Sequence, residues 1–169
     1  MQNFITQMYF TNHRDLVLSQ SDANVIWWAA WFSLAASMHA VHIQQSELAI
    51  VPACVLFTSL NYWRNPLRNS WRRSIDIGTV LIGCAYNSAL AYSMTDSHHR
   101  RTHFNCVAAS SLFYTMGHLF MAINMPRTAA YAHAGIHVVA NVENIALQRA
   151  AIENQRFQHS FKSGSYAHP

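Results

Sequence analysis

The sequence predicts an all-α fold: a polytopic membrane helical bundle of about five transmembrane helices. Three observations point there. Only 11% of the residues are charged, against about 25% in ordinary soluble domains. Long runs contain no Asp, Glu, Lys or Arg, and the two longest, at about 24 and about 25 residues, exceed the about 20 that cross a bilayer. Aromatic residues crowd the ends of these runs, where a membrane–water interface would lie. A soluble all-helical bundle is the alternative, but it leaves the charge-free runs and their aromatic ends without a reason. The mean hydropathy of +0.03 requires the spans to be studded with polar groups or flanked by polar segments.

Residues 1–22 are mixed and polar, with Arg14, Asp15 and Asp22. They lack a basic stretch followed by a short apolar core and a cleavage site, so no cleavable signal peptide is expected. The first span, about 23–46, opens with Trp27, Trp28 and Trp31 after a capping Ser21-Asp22 and closes in His39, His42, Gln44 and Gln45. The second, about 48–63, is short and has Pro52 in its first turn, where proline is tolerated. Asn65-Pro66 then breaks the helix, and the connection holds Arg64, Arg68, Arg72 and Arg73. Spans three to five cover about 74–95, 102–126 and 128–148. Residues 149–169 are read as a polar tail with a flexible end.

Five spans put the termini on opposite sides, here called A (N-terminal) and B. Arg residues between the short connections favour A as the cytoplasmic or matrix side by a small margin. The net charge of +4 rests on these grouped Arg residues and a single Lys, Lys162. Such grouping suits lipid headgroups, and no nucleic-acid partner is expected. Cys54, Cys84 and Cys106 lie in separate apolar runs without metal or redox spacing and read as core residues. The membrane itself, whether plasma membrane or organelle, is not specified by these features.

The chemistry gathers on the fifth span. His133, His137, Asn141 and Asn144 share one helical face, by steps of four, four and three. Depth counted from the span ends groups Asp76 with His118, His133 and His137 toward side A. Three imidazoles and a carboxylate from three helices suit Zn²⁺ with an open water position. Asp76 would then be ligand, second shell or general base, and Arg64, Arg68, Arg72 and Arg73 would contact a headgroup or other anion. The simpler alternative pairs Asp76 with Arg72 or Arg73 one turn earlier. Toward side B lie His39, His42, Asn87, Asn141, Glu143 and Asn144, where Glu143 needs a partner and His39 or His42 is the expected one. That pair would relay protons or lock the bundle.

The order Asp76, then His133-x-x-x-His137, resembles membrane hydrolases and receptors of the alkaline ceramidase and adiponectin-receptor group. Those proteins set a Ser-x-x-x-His, an Asp and a late His-x-x-x-His around zinc. The resemblance implies a zinc-dependent, lipid-directed hydrolase. The chain departs from the pattern in two ways: Ala35 precedes His39 by four where a Ser is required, and five spans stand in place of seven.

Two further classes are open. One is a non-catalytic accessory or structural subunit of a larger membrane complex, whose polar stripe serves helix packing and whose partners are lipids and other subunits. The other is a bis-histidine haem carrier using two facing imidazoles, without covalent attachment because no Cys-x-x-Cys-His is present.

Overall fold

The computed structural model describes residues 16–164, and they are helical almost throughout. In chain order the helices are α1 (Gln20–Ala30), α2 (Phe32–His42), α3 (Ile50–Trp63), α4 (Trp71–Ser93), α5 (Ser97–Ala122) and α6 (Pro126–Gly164), with a 3₁₀ turn at Ser46–Ala49 before α3. Arg14 and the last residues of the expected tail lie outside the described residues.

Local chemistry explains the boundaries. Ser19, not Ser21-Asp22, caps α1: its Oγ accepts from the Asp22 N–H at 3.2 Å and lies 2.7 Å from Asp22 Oδ2. Ser70 caps α4 through the Arg72 N–H, and Asp96 caps α5 through the His98 N–H at 2.7 Å. The α5–α6 turn closes with Asn124 at φ 59°, Asn124 N–H on the Met121 carbonyl and Met125 N–H on that of Phe120. This is a Schellman turn with asparagine in the left-handed position. Gln44, at φ 60°, ends α2 with the same bonding to Val41 and Ala40.

The helices run up and down between two ends. At end A, Val17 N–H bonds the Pro66 carbonyl, and an isolated antiparallel bridge joins Leu16 to Leu67. At end B, Gln45 meets Gln155 and Thr95 meets Asn154. Helix α6 packs along α5 and against α1 and α2, while α3 packs on α4, α2 and α1. Close approach is helped by glycine: a Cβ on Gly83 of α4 would lie 2.8 Å from Val51 Cγ1 of α3.

Many large apolar side chains lie at the surface, and a set of polar ones lies inside. Its apolar core is made largely of alanine, including Ala23, Ala30, Ala36, Ala40, Ala91 and Ala130. Trp28, Phe57, Leu81, Ile82 and Tyr92 are exposed, from 64% to 74%. Asp22, Ser59, Asp76, Asn87, His103, His137, Asn141, Glu143 and Gln148 are buried.

Among the described residues one helix, α4, is long and apolar enough to cross a membrane by length and composition. The expected first span is divided at Trp31 into two helices of 11 residues each. Trp31 itself is helical at φ −64°, ψ −17°, and bonds of the i to i+3 type flank it, from Trp31 N–H to Trp28 O and from Leu34 N–H to Trp31 O. Helix α3 has 14 residues. Helices α5 and α6 are longer but carry polar ends, such as His98 to Arg101 on α5. The expected polar tail is a continuation of α6, a single helix of 39 residues that runs well past 148. Its polar side chains hold the B end, through Gln148, Glu153, Asn154 and Gln155.

Candidate functional site

The most connected polar group lies toward end B, where α4, α5 and α6 meet. Helix α4 supplies Asn87 and Ser88, α5 supplies His103, and α6 supplies Glu143 and Asn144. His103 Nδ1 is 2.7 Å from Glu143 Oε1, and His103 Nε2 is 3.0 Å from Ser88 Oγ. Asn87 Nδ2 donates to Asn144 Oδ1 at 2.8 Å and more weakly to Glu143 Oε2 at 3.5 Å. His103 is 2% exposed and Glu143 6%. With Nδ1 carrying the hydrogen toward the carboxylate, Nε2 accepts from the serine hydroxyl, and every polar atom in the line is used. A cavity of ≈ 20 Å³ adjoins the pair, lined by His99, Thr102, His103, Glu143, Ala146 and Leu147. That is room for about one water. Beyond it, His99 Nε2 lies 3.0 Å from Glu153 Oε2 and 3.7 Å from Asp96 Oδ2 at the outer surface.

Glu143 therefore pairs with His103, neither with His39 nor with His42 as expected. His39 Nδ1 lies 2.8 Å from Gln148 Oε1, and His42 is exposed. The structure does bring Asn87, Glu143 and Asn144 together. Asn141 turns to another side of α6, where its Nδ2 donates to Ser33 Oγ at 3.0 Å and to the His137 carbonyl at 2.7 Å.

Toward end A the four expected metal donors are divided. Asp76 accepts from Ser59 Oγ at 2.6 Å and Thr58 Oγ1 at 3.0 Å, both on α3. Among the described residues no ion pair joins Asp76 to Arg72 or Arg73. Arg73 instead donates to the Arg68 carbonyl, and Arg72 lies over the Trp71 ring. Arg64 and Arg68 are exposed. Arg68, Ser70, Trp71, Arg73 and Ile77 line an open surface groove of ≈ 400 Å³.

His133 and His137 are neighbours on α6, with ring centroids 5.8 Å apart. His118 is exposed on α5 with its ring against Tyr114. No group of three His, Cys, Asp or Glu among the described residues is arranged to hold a metal ion. The side chain facing His133 is Trp63, centroid to centroid 4.8 Å. Trp63 follows Ser59 by four, so Ser59-Leu-Asn-Tyr-Trp63 has the spacing of the Ser-x-x-x-His motif, with tryptophan in the histidine place. An indole has an N–H donor and no lone pair for a metal. The side chain nearest the His133–His137 pair is thus an indole, and the two hydroxyls on Asp76 both bond its Oδ1. Trp63 Nε1, His137 Nε2 and Asn141 Oδ1 are buried without a hydrogen-bond partner among the described residues. Of the other expected haem ligands, His133 and His137 share one helix, and among the described residues His103 and His39 each bond another side chain.

Sequence reasoning missed Ser59, Trp63, Ser88, His103 and Gln148. His103 had a readable signal: it stands four residues after His99 and at the counted depth of Asn87 and Glu143.

The fold and its interior define a helical bundle with a buried His103–Glu143 pair that reaches the half-buried Ser88, and an alanine-rich core. No family model matches the chain, no curated protein matches it, and no solved structure does.

Proposed function

We propose that the chain is a multi-span helical membrane protein whose buried polar centre does acid–base chemistry on a lipid, as a lipid-directed hydrolase. One observation carries the membrane reading: large apolar side chains such as Trp28, Phe57, Leu81, Ile82 and Tyr92 face outward, while Asp76, His103, His137 and Glu143 are buried. Water would reverse that arrangement, because it rewards burial of apolar area by about 25 cal/mol per Å². Hydrocarbon rewards the arrangement seen, since polar groups there must find partners inside the bundle. α1–α2 together, α3, α4, α5 and the first part of α6 make the five passes. The exposed Arg64 and Arg68, with Arg72 and Arg73 beside their groove, suit phosphate headgroups at end A.

The reading is tested by membrane extraction and cysteine mapping. The full chain is expected to stay with the membrane in alkaline carbonate and to leave only with detergent. Cys54, exposed on the outer surface of α3, is expected to resist a charged, membrane-impermeant maleimide while reacting with an apolar one. Release by carbonate alone would refute the membrane reading.

A second reading, an accessory subunit, has its own support in α6. At about 1.5 Å per residue its 39 residues extend about 58 Å, well beyond a hydrocarbon core of about 30 Å. Its outer end would offer a docking rod. Native electrophoresis of detergent-extracted membranes separates the two, since a subunit migrates within a larger assembly and a self-sufficient enzyme does not.

A further inference from the structure

The geometry points to Ser88 as a nucleophile for acyl transfer, activated by His103 and oriented through Glu143, with a long-chain acyl ester as its substrate. The inference rests on the membrane reading above and adds the reacting atom and the bond. The three groups stand in the order that activation of a weak nucleophile requires. The hydroxyl is 3.0 Å from one imidazole nitrogen, and the carboxylate is 2.7 Å from the other. Glu143 also lies 3.5 Å from the Asn87 amide, and its bond to His103 Nδ1 orients the imidazole toward Ser88.

Position selects the substrate. Ser88 is half-buried, and its α4 neighbours Ala85, Tyr86, Ala89 and Tyr92 are exposed on the lipid side. The 23 residues of α4 rise about 34 Å, slightly more than the about 30 Å hydrocarbon core. Ser88 lies about 8 Å from the B end of that helix, a few ångströms below the level at which acyl-ester carbonyls meet the headgroups. A lipid ester can approach it from the side, and the small cavity beside His103 and Glu143 has room for about one water.

The chemistry balances with that water alone. Ser88 Oγ bonds to the acyl carbonyl carbon as its proton passes to His103 Nε2. The acyl C–O bond then breaks, its electron pair goes to the departing alcohol oxygen, and His103 returns the proton there. Water, giving a proton to His103, adds to the acyl-Ser88 carbonyl. The Ser88 C–O bond breaks, Ser88 regains the proton, and a free fatty acid leaves. The main-chain N–H of a mid-helix residue is committed to the helix ladder, so Ser88 cannot use its own N–H to hold the oxyanion. Covalent capture reads the nucleophile itself, apart from the deacylation step.

The test uses the full chain in lipid nanodiscs, exposed to a fluorophosphonate bearing a long alkyl chain. One adduct is expected by intact mass, mapped to Ser88 by peptide sequencing. Ser88→Ala, which removes only a hydroxyl, is expected to abolish it. Glu143→Gln, which keeps the shape but fixes the imidazole less well, is expected to slow labelling by about 10-fold or more, with an unchanged elution profile. Absence of an adduct on protein of wild-type elution, an adduct elsewhere, or undiminished labelling of Ser88→Ala would overturn the proposal. Failure of the nucleophile leaves the protein in the membrane after carbonate, whereas failure of the membrane reading releases it, so the two are distinguishable.

Discussion

Trp63 stands edge-on against His133, with ring centroids 4.8 Å apart and planes inclined at 62°. His137 lies one turn further along α6. An imidazole in place of the indole would bring a third nitrogen donor to the same spot. Trp63→His is therefore expected to take up about one zinc per chain, three histidines and a water being a sufficient set. Elemental analysis of the purified protein reads this directly, and adding His137→Ala should abolish the gain. No gain of zinc in a folded Trp63→His protein would mean that the two α6 rings cannot turn toward the new donor.

Glu143 and His103 are each other's main partner inside the bundle, so single changes there should differ sharply by shape. Glu143→Leu leaves the His103 Nδ1 hydrogen and the Asn87 amide short of an acceptor. Leaving a buried group unpaired costs about 1–3 kcal/mol. A loss in that range is expected as a lower thermal midpoint in detergent. Glu143→Gln retains an acceptor oxygen and is expected to lose less than half as much. Equal losses for the two variants would show that the pair contributes through volume alone.

The α3–α4 contact makes a prediction about glycine. A Cβ at Gly83 would fall 2.8 Å from Val51 Cγ1, whereas one at Gly78 meets nothing within 4 Å. Gly83→Ala should destabilise by about 1–3 kcal/mol through overpacking. Gly78→Ala should be neutral or slightly stabilising, since it removes only the flexibility of a helical glycine. Val51→Ala made together with Gly83→Ala should recover most of the loss, and the double-mutant cycle measures how much. Additive effects would mean that the two helices shift apart instead.

The all-helical class was legible from charge-free runs, because uncharged length is a local property, but the break at Trp31 and the extent of α6 were not. Depth counting was also informative: it set Asn87, Glu143 and Asn144 at one level, and they meet. Partner choice was not legible, because it depends on which faces of the helices meet. Glu143 had three histidines at a similar depth, His39, His42 and His103. Rotation about α5 and α6 selects His103. The same limit explains Asp76, whose neighbours turned out to be hydroxyls of α3 and not the basic residues beside it in sequence. The outer part of α6 was hidden for another reason. Its polar composition reads as a solvated tail, yet Gln148, Glu153 and Asn154 each find a partner across the bundle end.

Gln148 is the clearest instance of such a partner and supports a last prediction. It is 2% exposed. Its Oε1 lies 2.8 Å from His39 Nδ1, and its Nε2 reaches the carbonyls of Ala36 and Leu48. One side chain thus ties α6 to α2 and to the turn before α3. The two carbonyls belong to helical turns, so losing the amide costs them little. His39 Nδ1 would lose its one side-chain partner. Gln148→Leu is therefore expected to destabilise by about 1–3 kcal/mol, and His39→Phe by a similar amount. The double variant should be better than the sum of the two, because replacing both partners with apolar groups leaves neither orphaned. Thermal melts of the four proteins in one detergent give the coupling directly. Gln155→Ala, which removes only an exposed contact with Gln45, should change the midpoint by almost nothing. A Gln148→Leu protein as stable as the parent would mean that His39 reaches water at end B, and that the clamp is a feature of packing alone.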